Sequence, residues 1–69
     1  MMRIDPLVAE LTAARTTRRW SQDCLSEAIG VAKNSLSRWE TGTSTPGLAM
    51  LRAWAGALGY DLVLVKREG

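Results

Sequence analysis

Apolar residues recur at helical spacing through most of the chain, and the breaks between them predict four helices followed by a stretch of a different kind. Leu7, Val8, Leu11 and Ala14 mark one face of the first helix. Asp5 is placed to cap its free N–H groups, with Pro6 at the first helical position, where a missing N–H costs little. Thr16 and Thr17, followed by Arg18 and Arg19, break the pattern and predict its end. Ser21 is the expected N-cap of a second helix, Gln22 to Ile29, with Asp23 near its positive end and Leu25, Ala28 and Ile29 turned inward. Gly30 stops it, because glycine adopts the left-handed conformation at little cost. A third helix is expected from Lys33 to Glu40, its first turn weakened by Ala32 at the cap. Gly42 to Thr45 reads as a turn, and Thr45-Pro46 is expected to start a fourth helix as Asp5-Pro6 starts the first. Leu48, Leu51, Ala55 and Leu58 form its core stripe, and Gly59 ends it. Met50, Trp54 and Ala57 make a second stripe beside that one, either part of a wide buried arc or a subunit surface.

The run Tyr60-Asp61-Leu62-Val63-Leu64-Val65-Lys66-Arg67 abandons the helical period. Four consecutive apolar residues, two of them β-branched, read as a β-strand buried on both faces. Nothing else in the chain reads as a strand, and a lone strand leaves its backbone groups unpaired. Antiparallel pairing with the same run in a second subunit is therefore expected, with Leu62, Val63, Leu64, Val65 and Trp54 as dimer contacts. The competing arrangement folds the tail onto its own bundle and leaves dimerisation to the fourth helix on DNA. Residues 1–60 are thus expected to form the folded domain and 61–69 a dimerisation tail.

Length adds one constraint: 69 residues supply a single core, and a chain this small is marginal alone, which favours oligomerisation. No apolar run approaches the roughly 18 residues of a membrane span, and no secretory segment opens the chain. Cys24 is the one cysteine and there is no histidine, so neither an internal disulfide nor a metal site is expected. A cytoplasmic, reducing location follows, with no cofactor, membrane or small-molecule substrate. The acids Asp5, Glu10, Asp23, Glu27, Glu40, Asp61 and Glu68 are scattered, and the glycines form no phosphate cradle, so no enzyme is expected. A net charge of +2 permits nucleic acid without demanding it. The distribution is more telling: Arg15, Arg18 and Arg19 cluster, and Lys33 and Arg38 share one short helix.

The stretch from Gln22 to Glu40 draws these observations together. Leu25, Ile29, Val31, Leu36 and Trp39 are its apolar positions, Gly30 marks the turn, and the small Ser26 stands where two helices must approach. That spacing predicts two short helices packed at a steep angle around a tight turn. With Leu36 and Trp39 inward, Lys33, Asn34, Ser37 and Arg38 occupy the opposite face. Asn suits adenine and Arg or Lys suits guanine at the edges of base pairs.

Here the chain resembles the Cro/repressor helix-turn-helix family, the domain of lambda-like phage repressors. The match runs in order through Trp20-Ser21-Gln22, Ser37-Arg38-Trp39-Glu40-Thr41-Gly42, Thr45-Pro46 and Ala57-Leu58-Gly59, over roughly residues 5–60. It implies a mainly α fold, a four-helix lambda repressor-like bundle to which the C-terminal β-strand is added. It also implies that the helix from Lys33 lies in the major groove, with Lys33, Asn34, Ser37 and Arg38 facing the bases. Gln22 matches a phosphate-contacting position, and Ser21, Arg19, Thr41, Thr43 and Ser44 are expected around it on the DNA backbone. Arg15 and Glu40 match a pair that forms an internal salt bridge.

Two departures stand out. The loop after the third helix carries hydroxyls where the family often has basic residues, which implies a shallower salt dependence. Ala32 replaces a capping Ser or Thr. The implied function is a transcriptional regulator that binds a palindromic double-stranded operator as a homodimer. The rival is a DNA-binding antitoxin that also holds a toxin partner; a purely structural module leaves Asn34 and Arg38 unexplained.

Overall fold

A computed structural model of the protein describes residues 3–68. Four helices follow one another: α1 (Pro6–Thr17), α2 (Gln22–Ile29), α3 (Lys33–Glu40) and α4 (Leu48–Ala57). α1 and α2 each pack on both α3 and α4, so the second half of the chain is clasped by the first. The core is Val8, Leu11, Leu25, Leu36, Trp54, Ala55 and Leu58, with Ala14, Trp20, Ile29, Trp39, Leu51, Ala57 and Leu62 packed around it. Leu25, Leu36 and Leu58 are almost wholly out of water, each worth about 1.5–3 kcal/mol of transfer free energy.

The helix boundaries have local causes. The Asp5 carboxylate accepts from Leu7 N at 2.8 Å, with Pro6 opening α1. Ser21 Oγ accepts from Cys24 N at 3.0 Å and caps α2. Gly30, at φ 75°, ends α2 in the left-handed region. The N–H groups of Gly30 and Val31 both turn back to the Ser26 carbonyl, which satisfies the helix end and fixes the sharp path into α3. Ala32 provides no side-chain cap, and α3 nonetheless begins at Lys33.

Several expectations are corrected. Thr45-Pro46 does not open α4: Gly47 is its extended N-cap, and the helix starts at Leu48. Pro46 is buried instead, in the wall that runs from Trp39 to the segment before α1. Leu7, Ala28 and Leu48 are exposed, because a short helix touches its neighbours along a narrower arc than periodicity suggests. Trp54 is completely buried, with its ring stacked on Trp39 at 6.4 Å between centroids and 28° between planes. It fills the centre of the subunit and has no surface to offer another.

The expected C-terminal β-strand is absent: among the described residues there is no strand, and residues 60–68 are neither helix nor strand. A strand exists only by virtue of a hydrogen-bonded neighbour, and no other described segment is extended alongside the tail. Nor is the tail folded onto the bundle beyond Leu62. The radius of gyration, 12.3 Å, exceeds the value of about 11 Å for a compact chain of this length.

Candidate nucleic-acid interface

α3 divides cleanly into a core side and a water side. Leu36 is buried and Trp39 half-buried, while Lys33, Asn34 and Arg38 are exposed and Ser37 is half-exposed. Positions 33, 34, 37 and 38 lie on one helical face. The side chains of Asn34, Ser37 and Arg38 form no hydrogen bond or ion pair with any described residue, so their donors and acceptors all face solvent. Lys33 differs: its Nζ lies 3.5 Å from the Asp23 carboxylate on α2.

What holds this face is a polar knot at the other end of α3. Arg15 Nε donates to Glu40 Oε2 at 2.8 Å and Arg15 Nη2 to Glu40 Oε1 at 2.9 Å, a two-point grip. Arg15 Nη1 donates to the Trp20 carbonyl at 2.6 Å. Glu40 Oε1 also accepts from Gln22 Nε2 at 2.9 Å. The side chains are 12% and 6% exposed for Arg15 and Glu40, so the ions are largely desolvated, yet every guanidinium nitrogen and carboxylate oxygen has a partner. The end of α1, the connection into α2, the first residue of α2 and the last residue of α3 are thereby tied to one carboxylate.

This geometry bears on Gln22. A carboxylate only accepts, so the amide nitrogen must face Glu40, leaving one N–H and the amide oxygen. The side chain is thus oriented before any ligand arrives, with a single donor left for a phosphate. Ser21 Oγ is occupied as the cap of α2. Arg19 is exposed and unpaired, at φ 60° in the connection three residues before Gln22.

The loop after α3 is less open than its hydroxyls suggested. Thr41 N bonds the Ser37 carbonyl, Gly42 N the Trp39 carbonyl, and Thr43 N and Ser44 N both bond the Arg38 carbonyl, at 2.9–3.2 Å. Thr41 Oγ1 turns back to the Ser37 and Arg38 carbonyls and meets Thr43 Oγ1 at 3.1 Å. These backbone donors close the end of α3 and are engaged within the subunit, whereas the Ser44 hydroxyl has no hydrogen-bond partner among the described residues. Gly42, at φ 81°, lies against the chain before α1; a Cβ there would come within 3.0 Å of Ile4.

Two short helices joined by a left-handed glycine, the second with an unpaired polar outer face, are the parts of a helix-turn-helix. A helix-turn-helix family model, of the Cro/C1 type, matches residues 11–65. The chain belongs to this family. Membership makes it a DNA-binding regulatory domain, and α2 and α3 are its helix-turn-helix. A comparison with curated proteins finds no match. Among the described residues no helix is long and apolar enough to cross a membrane, and no cluster of acids and cysteine is suited to a metal ion.

Two features of this helix-turn-helix were missed from sequence. The Gln22–Glu40 bond spans 18 positions, and no local pattern signals it. The Asp23–Lys33 pair had a weak signal, an acid in the first turn of one helix and a base at the first residue of the next.

Proposed function

We propose that the protein is a transcriptional regulator that reads a double-stranded operator through α3, as a homodimer on a palindromic site. The observation that carries this reading is the face of Asn34, Ser37 and Arg38: polar, exposed and without intramolecular partners, on a helix anchored by Leu36 and Glu40. In the proposed complex Asn34 and Arg38 pair with base edges in the major groove, and Lys33 joins them by exchanging Asp23 for a base or phosphate. The free N–H of Gln22 and the exposed Arg19 guanidinium hold the DNA backbone and set the register. Thr41 and Thr43 contribute less there, since their hydroxyls already meet each other and the turn, while Ser21 and Ser44 each keep a hydroxyl hydrogen for a phosphate. A dimer presents two α3 helices to half-sites about one helical turn, roughly 34 Å, apart.

Selection of bound sequences from a random DNA pool tests the proposal, and it returns the operator, its symmetry and its half-site spacing together. Absence of any enriched sequence at low salt would sink it. A second reading, an antitoxin with the same DNA face, draws support from the exposed apolar tail, which suits a protein partner. Co-purification of a toxin encoded beside this chain would favour it.

A further inference from the structure

The end of α3 and the loop that follows it have no cation of their own. From Trp39 to Leu51 the one charged residue is Glu40, and its carboxylate is engaged by Arg15 and Gln22. The fold brings a cation in from elsewhere. The chain ahead of α1 lies across this loop: a Cβ on Gly42 would stand 3.0 Å from Ile4 Cγ1 and 3.4 Å from the carbonyl carbon and oxygen of Arg3. A residue without a side chain is what lets the two segments approach so closely. Between them opens a groove of about 610 Å³. Ile4, Trp39 and Pro46 supply apolar lining, while Arg3, Ser44 and Thr45 bring polar side chains to it. Arg3 is exposed, and among the described residues its guanidinium and the Ser44 and Thr45 hydroxyls have no hydrogen-bond or ion-pair partner.

We propose that this groove takes a phosphate of the DNA backbone, with Arg3 as its cation and the Ser44 hydroxyl as its neutral donor. The proposal rests on the reading of DNA by α3 and adds to it a contact from outside the helix-turn-helix. Its place in the fold carries the argument. Ser44 N bonds the Arg38 carbonyl at 3.2 Å, so the groove adjoins the last turn of the reading helix. The major groove is bordered by phosphates on both sides. A helix lying there with Arg38 at the bases therefore sets the loop after it against one border.

The chemistry fits that neighbour. A guanidinium presents a planar fork of donors matched to phosphate oxygens, and a serine hydroxyl adds one more donor. The apolar lining suits the deoxyribose that flanks each phosphate. Asp5 also lines the groove and opposes an anion. Its Oδ1 is held by Leu7 N as the cap of α1, and it forms no ion pair with Arg3, so it weakens the local field without occupying the guanidinium.

The test is titration of the selected DNA with the full chain, Arg3→Ala, Arg3→Lys and Ser44→Ala between about 50 and 200 mM salt. Each cation that neutralises a phosphate contributes about 0.9 to the slope of log affinity against log salt. Arg3→Ala should lower the slope by about that amount per bound subunit. For a dimer, wild type then loses about tenfold more affinity than Arg3→Ala across the range. Arg3→Lys should keep the slope. Ser44→Ala should weaken binding with the slope intact, since it removes a neutral donor. Arg3→Ala should melt like wild type and enrich the same sequence, because Arg3 holds nothing in the fold and reads no base. Neutral methylphosphonate linkages, placed one at a time along the duplex, locate the contact: at one position per half-site the difference between wild type and Arg3→Ala should vanish. A slope indifferent to Arg3→Ala, or a difference that survives every substituted linkage, would overturn the proposal. The two readings fail apart: a chain that enriches no sequence takes both down, whereas selected DNA bound without regard to Arg3 removes this contact alone.

Discussion

Replacing Glu40 with Ala removes the anion on which four parts of the fold converge. Three donors lose their acceptor at once, Arg15 Nε, Arg15 Nη2 and Gln22 Nε2, and a guanidinium only 12% exposed is left without a counter-charge. Stranding a buried ion typically costs about 3–5 kcal/mol. Arg15 keeps its bond to the Trp20 carbonyl and some access to water, which puts the expected loss near the bottom of that range, about 3 kcal/mol. A chain of this size has only about 3–10 kcal/mol of stability, so a large share would go. Arg15→Ala should cost less than Glu40→Ala, because the stranded carboxylate retains Gln22. The double variant should be well short of the sum, with a coupling of about 2 kcal/mol. Urea unfolding followed by tryptophan fluorescence reads all three, with Trp20 and Trp39 close to the knot. The coupling should persist at high salt, since a pair this sheltered is poorly screened. A coupling within about 0.5 kcal/mol of zero, the usual error of additivity, would mean that the knot holds nothing together.

Three further outcomes are expected. Asn34→Ala and Arg38→Ala should each lose roughly 1–3 kcal/mol on the selected operator and relax preference at particular bases, with melting unchanged, because neither side chain has an intramolecular partner; operator binding equal to wild type would remove α3 from the groove. Ser21→Ala should lower stability by about 1 kcal/mol through loss of the cap on Cys24 N, and a melt indistinguishable from wild type would show that water replaces that bond. Gly30→Ala meets no neighbour within 4 Å, so its whole cost is the left-handed backbone, about 1–2 kcal/mol; a neutral substitution would mean that the turn relaxes out of that conformation.

The helices were legible because their ends are written in single residues. Asp5, Ser21 and Gly30 each act within four positions of themselves, and α1, α2 and α3 occur at the expected bounds. The start of α4 was not legible: Thr45-Pro46 has the local chemistry of a helix start, but burial of the Pro46 ring outweighs it. Exposure of Leu7, Ala28 and Leu48 illustrates the same limit, since which flank of an apolar stripe is covered depends on where the neighbouring helices lie. Trp54 was ambiguous between core and interface for that reason. The tail's apolar run was evident, but a strand is a property of two segments, and the sequence of one cannot supply the other. In the site, the outer face of α3 followed from the inward places of Leu36 and Trp39. The pairing of Arg15 with Glu40 came from family resemblance, and Gln22 as their third member came from neither source.

That third member changes how the site is to be understood. Had Gln22 been free, its long side chain would lose rotamer freedom on meeting a phosphate, and its amide would be equally able to present oxygen or nitrogen. The bond to Glu40 removes both costs in advance, because a carboxylate admits only the nitrogen end. The same carboxylate ends α3, so the group that orients Gln22 also fixes α3 relative to it. Lys33 is the opposite case. Its ammonium already lies beside Asp23, so in the proposed complex it gains only the difference between a base edge and an exposed carboxylate, a pair worth at most about 1 kcal/mol in water. In that proposed complex the burden of discrimination therefore falls on Asn34 and Arg38, whose donors would exchange nothing but water for the bases.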